Sequence, residues 1–284
     1  MTALVTGAAG LLGRRVVAAL EARGASVVGA GHGCERSVEL RIAAHVEELV
    51  AEVRPRVVYH LGGTSSAVEM ARDPTGGHPN VVQPAVNVFE AVASTGGGRV
   101  VIVSPCEVYG RPGRLPIEET APLVPSEVYA ATRAAVEYMA RSYRDRGVEV
   151  VVARVFWLAG PGVDRRAPLG DVAARAARGE TVRLADANLR RDVLDVRDAA
   201  EGIVLLGERG VAGEAYNLCS GAARSLRELA EIVVGGPVEV DPAPSRAAPV
   251  YLGSPAKAEA LGWRRAVPLE DALREMAEWA RRAG

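Results

Sequence analysis

Tyr129 and Arg133 are four residues apart in the stretch VYAATR, residues 128–133, which is predicted to be helical. Side chains at this spacing lie on one face of a helix, so the phenol and the guanidinium are expected to be neighbours. A free phenol has a pKa near ~10, and a nearby positive charge favours its ionised form. The pair is therefore a candidate for proton transfer; the alternative is a pair on a helix surface with no chemical role.

A glycine turn in the sequence VTGAAGLLG is the second candidate site. Gly7, Gly10 and Gly13 lie between an apolar run and a helical stretch. The first glycine permits a tight turn, the second lets a pyrophosphate approach the backbone, and the third lets helix and strand pack closely. The free N–H groups of the following helix would face the phosphates. The sequence thus predicts dinucleotide binding, with a plain strand-to-helix turn as the alternative.

Alternating strands and helices are needed to position these groups. The predicted strands are 3–6, 25–30, 56–62, 99–104 and 148–155, and the predicted helices are 11–23, 45–53, 81–94 and 128–147. Continuous apolar strands that alternate with helices indicate a parallel sheet covered on both faces. The predicted fold is α/β, with a Rossmann-like, doubly wound parallel sheet.

The character of the sequence changes after about residue 160. A loop-like stretch precedes a short predicted helix at 171–178, and prolines cluster at 237–255. We predict a NAD(P)-binding Rossmann domain at 1–160 and a smaller C-terminal α/β substrate-binding lobe at 161–284. Some segments of the lobe are expected to cross back to the sheet.

The composition disfavours nucleic-acid binding, membrane association and metal binding. The chain has 284 residues and a net charge of -1, which does not favour nucleic acid or an anionic membrane as the main partner. Its three cysteines and four histidines show no metal-ligand or disulfide spacing, which indicates a reducing compartment and no metal site. Neither a leader peptide nor an apolar run of ~20 residues is evident, so we expect a cytoplasmic protein.

Several stretches resemble the extended short-chain dehydrogenase/reductase family, the NAD-dependent epimerases and dehydratases of nucleotide sugars. These are TGAAGLLG, RPRVVYHLGG, VIVSPCEVYG, LPIEETAPLVPSEVYAATR, RVFWLAGPG, RRDVLDVRDAA, GEAYNLCSG and LGWRRAVPLEDALREMAEW. The longer stretches EVRPRVVYHLGGTSS and RRDVLDVRDAAEGIVLL are most similar to the branch that holds GDP-4-keto-6-deoxy-D-mannose reductase and GDP-mannose 4,6-dehydratase. The short segment ERSVELR is also similar to that of the dTDP-4-keto-rhamnose reductases.

The resemblance implies a redox centre in which Tyr129 is the proton donor or acceptor. Arg133 stands where the family has a lysine; it keeps the charge but cannot lose its proton. Pro105 stands where the family has a serine or threonine hydroxyl. Cys106 and Glu107 stand where dehydratases of the family carry an acid/base pair. The alternatives are a small buried cysteine and a loop carboxylate without a role.

The resemblance also implies a substrate site. Arg191 and Arg246 match the arginines that hold the sugar-nucleotide diphosphate, and two guanidinium groups suit bidentate phosphate recognition. Trp157 stands where the family usually has an asparagine, so we expect a reshaped pocket. Ser104 lies one residue before the missing hydroxyl and is included in the substrate site. Each arginine could alternatively be an isolated surface charge.

The residues expected to contact the cofactor are Gly7, Gly10, Leu11, Leu12, Gly13, Arg36, Leu61, Tyr129 and Arg133. The second strand ends near Gly31, without the acidic residue that holds a ribose hydroxyl in NAD-preferring relatives. Arg36 or Arg14 could meet a 2′-phosphate, which favours NADP over NAD.

The predicted function is hydride transfer at carbon 4 of a nucleotide hexose, by a reductase, epimerase or dehydratase. A GDP- or dTDP-4-keto-6-deoxyhexose is the expected type of substrate. One alternative is a non-catalytic NAD(P)-binding regulatory or scaffold protein, and another is a non-redox dehydratase or epimerase that uses Glu107. The resemblance further implies a homodimer formed through helices 81–94 and 128–147.

Overall fold

The computed structural model describes residues 2–63, 67–241 and 248–283. In its first half, the strands are β1 (Thr2–Thr6), β2 (Ser26–Ala30), β3 (Val57–His60), β4 (Gly98–Pro105) and β5 (Val148–Val155). The helices of this half are α1 (Leu11–Ala22), α2 (Ala43–Val53), α3 (Ala67–Arg72), α4 (Pro74–Gly77), α5 (Pro79–Ser94) and α6 (Val128–Ser142). Two 3-10 helices, Cys106–Tyr109 and Arg144–Arg146, follow β4 and α6.

The second half contains shorter strands. These are β6 (Trp157–Ala159), β7 (Arg183–Leu184), β8 (Arg190–Asp195), β9 (Ala215–Leu218), β10 (Ala223–Ser225) and β11 (Glu239–Val240). Its helices are α7 (Pro168–Ala177), α8 (Val196–Arg209), α9 (Leu226–Val234), α10 (Ala256–Ala260) and α11 (Leu269–Ala283). Within the described residues, no helix combines the length and the apolar character needed to span a bilayer.

A parallel sheet with the strand order β2-β1-β3-β4-β5-β9 forms the centre of the protein. The chain runs from β1 outward to β2 and then returns to β3 on the other side of β1, which is the doubly wound topology that the sequence predicts. In such sheets, ligands bind where the strand order reverses, at the carboxyl ends of the strands. Beyond β2, the described residues add only an isolated bridge between Ala30 and Arg36.

Helices cover both faces of this sheet because its strands are apolar on both sides. On one face, α1 and α8 pack together, and Leu20 and Ile203 belong to the core. On the other face, α2, α5 and α6 pack over a core that includes Phe89 and Val136. The predicted helix 128–147 is shorter in the structure, because it ends at Ser142 and a 3-10 turn leads into β5.

The C-terminal part has a core of its own and also contributes to the main sheet. Strands β10, β8 and β6 form a small sheet, and α7, α9 and α11 pack around a separate apolar cluster. Strand β9 pairs with β5, and α8 lies on the face of the main sheet. Strand β9 and helix α8 therefore belong to the main sheet layer, and the division into two domains at residue 160 stays a prediction.

Candidate active site

A large cleft opens at the carboxyl ends of the central strands and has a volume of about 1330 Å³. The turns after β1, β2 and β3 line one end of it. The end of β4, the first turns of α6 and the segment after β6 line the other end. The cleft therefore lies at the position where the fold is expected to bind a ligand.

The glycine turn after β1 brings backbone groups close together at the floor of the cleft. Gly7 has a φ of +70°, and its N–H donates a hydrogen bond to the carbonyl of Ala30 at 2.8 Å. A Cβ on Gly7 would lie 2.7 Å from the carbonyl oxygen of Leu61. A Cβ on Gly13 would overlap the carbonyl oxygen of Gly7. Only glycine fits these two positions.

The N-terminus of α1 opens into the cleft without a side-chain cap. Gly10 is the N-cap residue, and the first turn contains no acidic residue that could neutralise the helix dipole. Leu11 and Leu12, whose N–H groups begin the helix, line the cleft. Uncapped N–H groups beside a glycine cradle suit a phosphate. The residues present thus fit the pyrophosphate of a dinucleotide.

The turn after β2 and the segment before α2 form the far end of the cleft. Gly31 has a φ of +124°, and Leu40 lines the same region. Glu39 also lines the cleft, and the Arg41 guanidinium, 3.0 Å from its carboxylate, lowers the pKa of Glu39 to about 2. Arg36 instead forms an ion pair with Glu52 on α2, and it is not among the residues that line the cleft.

Tyr129 and Arg133 lie in the first turns of α6, and both line the cleft. The guanidinium carbon of Arg133 is 5.5 Å from the centre of the Tyr129 ring. Arg133 is 9% exposed, whereas Tyr129 is half-buried. The structure thus brings together the phenol and the cation that the helical spacing predicts, and it places them in the same cleft as the glycine turn.

His60 is a buried residue near Arg133 that had not been predicted from the sequence. It ends β3, it is 2% exposed, and its Nδ1 lies 2.8 Å from the Oγ1 of Thr6. Burial, together with the charge of Arg133, lowers the pKa of His60 to about 3. Both effects disfavour the protonated imidazole.

Ser104 and Pro105 end β4 and line the cleft. Ser104 is 1% exposed, and within residues 2–63, 67–241 and 248–283 its Oγ has no hydrogen-bond partner. Pro105 offers no hydroxyl at the next position. The only hydroxyl at this end of β4 thus belongs to Ser104.

Glu107 lines the cleft from the 3-10 helix that follows β4. The Nε1 of Trp157 donates a hydrogen bond to one oxygen of its carboxylate at 2.9 Å. The thiol of Cys106 donates to the other oxygen at 3.4 Å. Cys106 is 1% exposed, and burial, together with Glu107, raises the pKa of its thiol well above the usual range. The predicted acid/base pair is thus in contact, with Cys106 as a buried donor.

Arg191, on β8, lies between two aromatic rings at the same end of the cleft. Its guanidinium carbon is 5.0 Å from the centre of the Trp157 ring and 4.8 Å from that of Tyr251. One terminal nitrogen donates to the carbonyl of Pro249 at 2.8 Å, and burial lowers the pKa of the guanidinium. Arg246, its predicted partner in phosphate binding, lies outside the described residues.

A buried polar network behind the cleft holds α6 against β5. Arg154 and Glu137 form an ion pair at 2.8 Å, with side chains 4% and 2% exposed. Arg154 also donates to the hydroxyl of Tyr109 at 2.9 Å, and that hydroxyl donates to Asn217 on β9. Glu137 lies one turn after Arg133, so this network fixes the helix that carries the phenol.

The cleft therefore gathers most of the predicted site residues. Those that line it are Gly7, Gly10, Leu11, Leu12, Gly13, Leu61, Ser104, Glu107, Tyr129, Arg133, Trp157 and Arg191. Four further residues in or near the cleft had not been predicted from the sequence: Glu39, Arg41, His60 and Tyr251. Tyr251 carried no usable signal, because its contact with Arg191 joins distant parts of the chain. His60 could have been suspected, because it ends a fully apolar strand beside the glycine turn.

A doubly wound parallel sheet with a glycine cradle and an uncapped helix at its switch point defines the class of dinucleotide-binding α/β proteins. A model of the NAD dependent epimerase/dehydratase family matches residues 3–219. The chain belongs to this family, whose members act on nucleotide sugars, as the resemblance predicted.

Characterised relatives include two kinds of nucleotide-sugar enzyme. The UDP-glucose 4-epimerase of Mycolicibacterium smegmatis is 30% identical over 312 residues, which cover 99% of each chain. The GDP-6-deoxy-D-mannose reductase of Pseudomonas aeruginosa is 30% identical over 247 residues, which cover 80% of this chain and 81% of that protein. The two types of relative are equally similar to the chain.

Solved structures lead to the same family. The Thermus thermophilus UDP-glucose 4-epimerase, in complex with NAD, has a TM-score of 0.89 and 28% identity, and the match covers all of both chains. RMD from Pseudomonas aeruginosa, in complex with NADPH, has a TM-score of 0.89 and 27% identity over 100% of this chain and 99% of that chain. Both nicotinamide dinucleotides thus occur among the structural neighbours.

Proposed function

We propose that this protein is a NAD(P)-dependent enzyme that acts at carbon 4 of a nucleotide hexose. The observation that carries the proposal is the position of Tyr129 and Arg133 in one cleft with the glycine turn and Arg191. The cradle suits a pyrophosphate, the phenol suits proton transfer, and the second arginine suits a substrate phosphate. Family membership supports each of these roles.

Tyr129 would exchange a proton with the oxygen on carbon 4 of the sugar. When bound, NAD(P) would supply hydride acceptor and donor chemistry at that carbon. Arg133 stays charged throughout and takes the place of the lysine of the family pattern. Its nitrogens are suited to hold hydroxyl groups of a ribose. Because the guanidinium cannot give up a proton, the proton must leave Tyr129 by another route.

The substrate is proposed to be a nucleoside diphosphate sugar. Arg191 lies at the Glu107 end of the cleft, and the glycine turn lines the other end, so a dinucleotide and a nucleotide sugar are proposed to share one cleft. UDP-glucose epimerases and a GDP-deoxymannose reductase are equally similar relatives, so UDP- and GDP-linked hexoses are both substrates to test.

NADP is proposed to bind more tightly than NAD. The end of β2 carries Gly31 where NAD-preferring relatives have an acidic residue, and Glu39, a carboxylate that lines this end of the cleft, is paired with Arg41. Arg41 is a cation that lines this end of the cleft, whereas Arg36 is paired with Glu52 and Arg14 lies close to Gly162, in the segment after β6. Titration of the protein with NADPH and NADH, with Arg14→Ala and Arg41→Ala as variants, tests this order.

A second candidate is dehydratase or epimerase chemistry that depends on Glu107. The hydrogen bonds from Trp157 and Cys106 hold its carboxylate at the cleft. A held carboxylate is suited to remove a proton beside a keto group. Pro105, which cannot bind the carbon-4 oxygen as a hydroxyl would, also favours this candidate.

One set of incubations tests both candidates. The protein is mixed with UDP-glucose, or with GDP-4-keto-6-deoxymannose, in the presence of NAD, NADPH or neither, and in deuterated water. Formation of UDP-galactose or oxidation of NADPH supports the redox proposal, and deuterium at carbon 5 supports the role of Glu107. Tight binding of NADPH without any turnover would instead indicate a regulatory or scaffold protein.

A homodimer through α5 and α6 is a further part of the proposal. The two helices pack side by side. Phe89 on α5 and Val136 on α6 are buried in the core of the chain itself. Tyr138 and Met139 on α6 are 51% and 39% exposed and could meet a second copy. Sedimentation velocity on the wild type and on Tyr138→Glu tests for the dimer.

A further inference from the structure

We propose that Trp157 is a positioning residue that orients Glu107 with its N–H and Arg191 with its ring. The inference rests on the proposed function, since it assigns a sugar-side group and a phosphate-side group to one substrate. The indole of Trp157 stands where the family pattern has an asparagine.

The first contact fixes the carboxylate. The indole nitrogen of Trp157 donates to Glu107 at 2.9 Å, and Glu107 follows β4 whereas Trp157 begins β6. The bond therefore joins two separate elements at the same end of the cleft. An indole nitrogen is a donor only, so the bond requires an accepting oxygen of Glu107 and excludes the reverse arrangement. The thiol of Cys106 completes the restraint from the other oxygen.

The second contact holds the guanidinium. Arg191 lies over the Trp157 ring at 5.0 Å and over the Tyr251 ring at 4.8 Å, so two aromatic faces enclose it. Its bonds to the carbonyls of Arg190 and Pro249 both use one terminal nitrogen. Among the described residues, its Nε is buried and has no hydrogen-bond partner. A planar cation enclosed in this way still has donors for a phosphate.

One side chain thus connects the two halves of the proposed substrate site. Removing only the N–H should release Glu107 and leave the aromatic support of Arg191. Removing the whole ring should disturb both groups. This difference separates a positioning role from a general effect on folding.

The test compares Trp157→Phe with Trp157→Ala. For Trp157→Phe, we expect kcat to fall about tenfold, because hydrogen bonds to charged groups are the stronger class, with the Kd for UDP or GDP changed less than about threefold. For Trp157→Ala, we expect the Kd of the same nucleotides to rise about tenfold as well. Trp279→Phe, on α11 and away from the cleft, is the matched control and should change neither value.

Glu107→Gln tests whether Trp157 acts on kcat through the Glu107 carboxylate. Its kcat should fall at least as far as that of Trp157→Phe, and the double variant should show no additional loss beyond Glu107→Gln alone. Additive losses would overturn the inference, as would an unchanged kcat in Trp157→Phe or a nucleotide Kd that is equally weakened in the Phe and Ala variants.

A measurement without substrate distinguishes failure of this inference from failure of the proposed function. Tryptophan emission should differ between wild type and Glu107→Gln, because the mutation alters the group bonded to the indole. The same mutation should leave emission unchanged in the Trp157→Phe background. Equal changes in both backgrounds, or none in either, would overturn the contact. Absence of nucleotide binding by the wild type would contradict the proposed function instead.

Discussion

The guanidinium of Arg133 lies 5.5 Å from the ring centre of Tyr129, and both side chains line the cleft that the glycine turn closes at its other end. The proposed role of the phenol is to exchange a proton with a ligand in this cleft. Tyr129→Phe should reduce turnover by about 10²- to 10⁴-fold, the usual contribution of a general acid or base. The Kd for NADPH should stay within about threefold. Steady-state kinetics and NADPH titration measure both, and full turnover by the variant would contradict the role of the phenol.

Arg133→Lys addresses the departure from the family pattern. Lysine restores a side chain that can pass on a proton, so kcat should rise by about 2- to 10-fold if proton release limits turnover. Arg133→Met, which removes the charge, should lower kcat by about tenfold or more. Steady-state measurement of kcat for wild type, Arg133→Lys and Arg133→Met at one pH tests both expectations. Equal turnover in all three would show that the cation has no part in the chemistry.

Gly13→Ala tests whether the glycine turn after β1 binds a dinucleotide. The new Cβ would overlap the carbonyl oxygen of Gly7, and the backbone must move to relieve it. We expect the Kd for NADPH to rise more than about tenfold and the free energy of unfolding to fall by about 1–3 kcal/mol. Gly113→Ala is the control, since a Cβ there meets nothing within 4 Å. Calorimetry and urea unfolding measure the two effects, and an unchanged Kd in Gly13→Ala would argue against a dinucleotide at this turn.

His60 should make the protein sensitive to mild acid. Its pKa is lowered from 6.5 to about 3 in the folded state, so the unfolded chain binds a proton more readily between these values. The free energy of unfolding therefore falls as the pH drops below 6.5. From pH 7.5 to 5, wild type should lose about 2 kcal/mol more than His60→Asn. Urea unfolding at a series of pH values measures the difference, and parallel curves would refute the assignment.

Glu137→Gln tests the buried network behind α6. The pair with Arg154 is almost fully buried, and removal of one partner leaves an unpaired buried charge. We expect a loss of about 3–5 kcal/mol in the free energy of unfolding. The control is Glu90→Gln, which breaks the exposed pair with Arg146 and should cost less than about 1 kcal/mol. Similar losses in the two variants would show that burial of the pair is unimportant.

The order of strands and helices could be predicted from the sequence. So could groups of site residues that lie together on one helix or in one turn. Tyr129 and Arg133 share a helix face, and the three glycines share a turn, so local spacing predicts both groups. The strands were found for the same reason, because their apolar runs are buried on both faces.

Contacts between segments that are distant in the sequence could not be predicted from local spacing. Nothing in the spacing relates Trp157 to Glu107, or Tyr251 to Arg191, because those pairs depend on how the small C-terminal sheet meets the cleft. Arg36 shows the opposite case. Its position after β2 suggested a phosphate ligand, but a glutamate on α2 competes for its charge.

The edge of the main sheet beside β2 has a practical consequence. In the part of the chain that the structure describes, β2 pairs on its outer side only through an isolated bridge between Ala30 and Arg36. Residues 31–42 therefore reach the cleft as a loop. A loop can be exchanged without repairing the register of its neighbours. The loop can therefore be replaced as a unit. Exchanging residues 31–42 between relatives should change the preference for NAD or NADP while the rest of the protein stays the same.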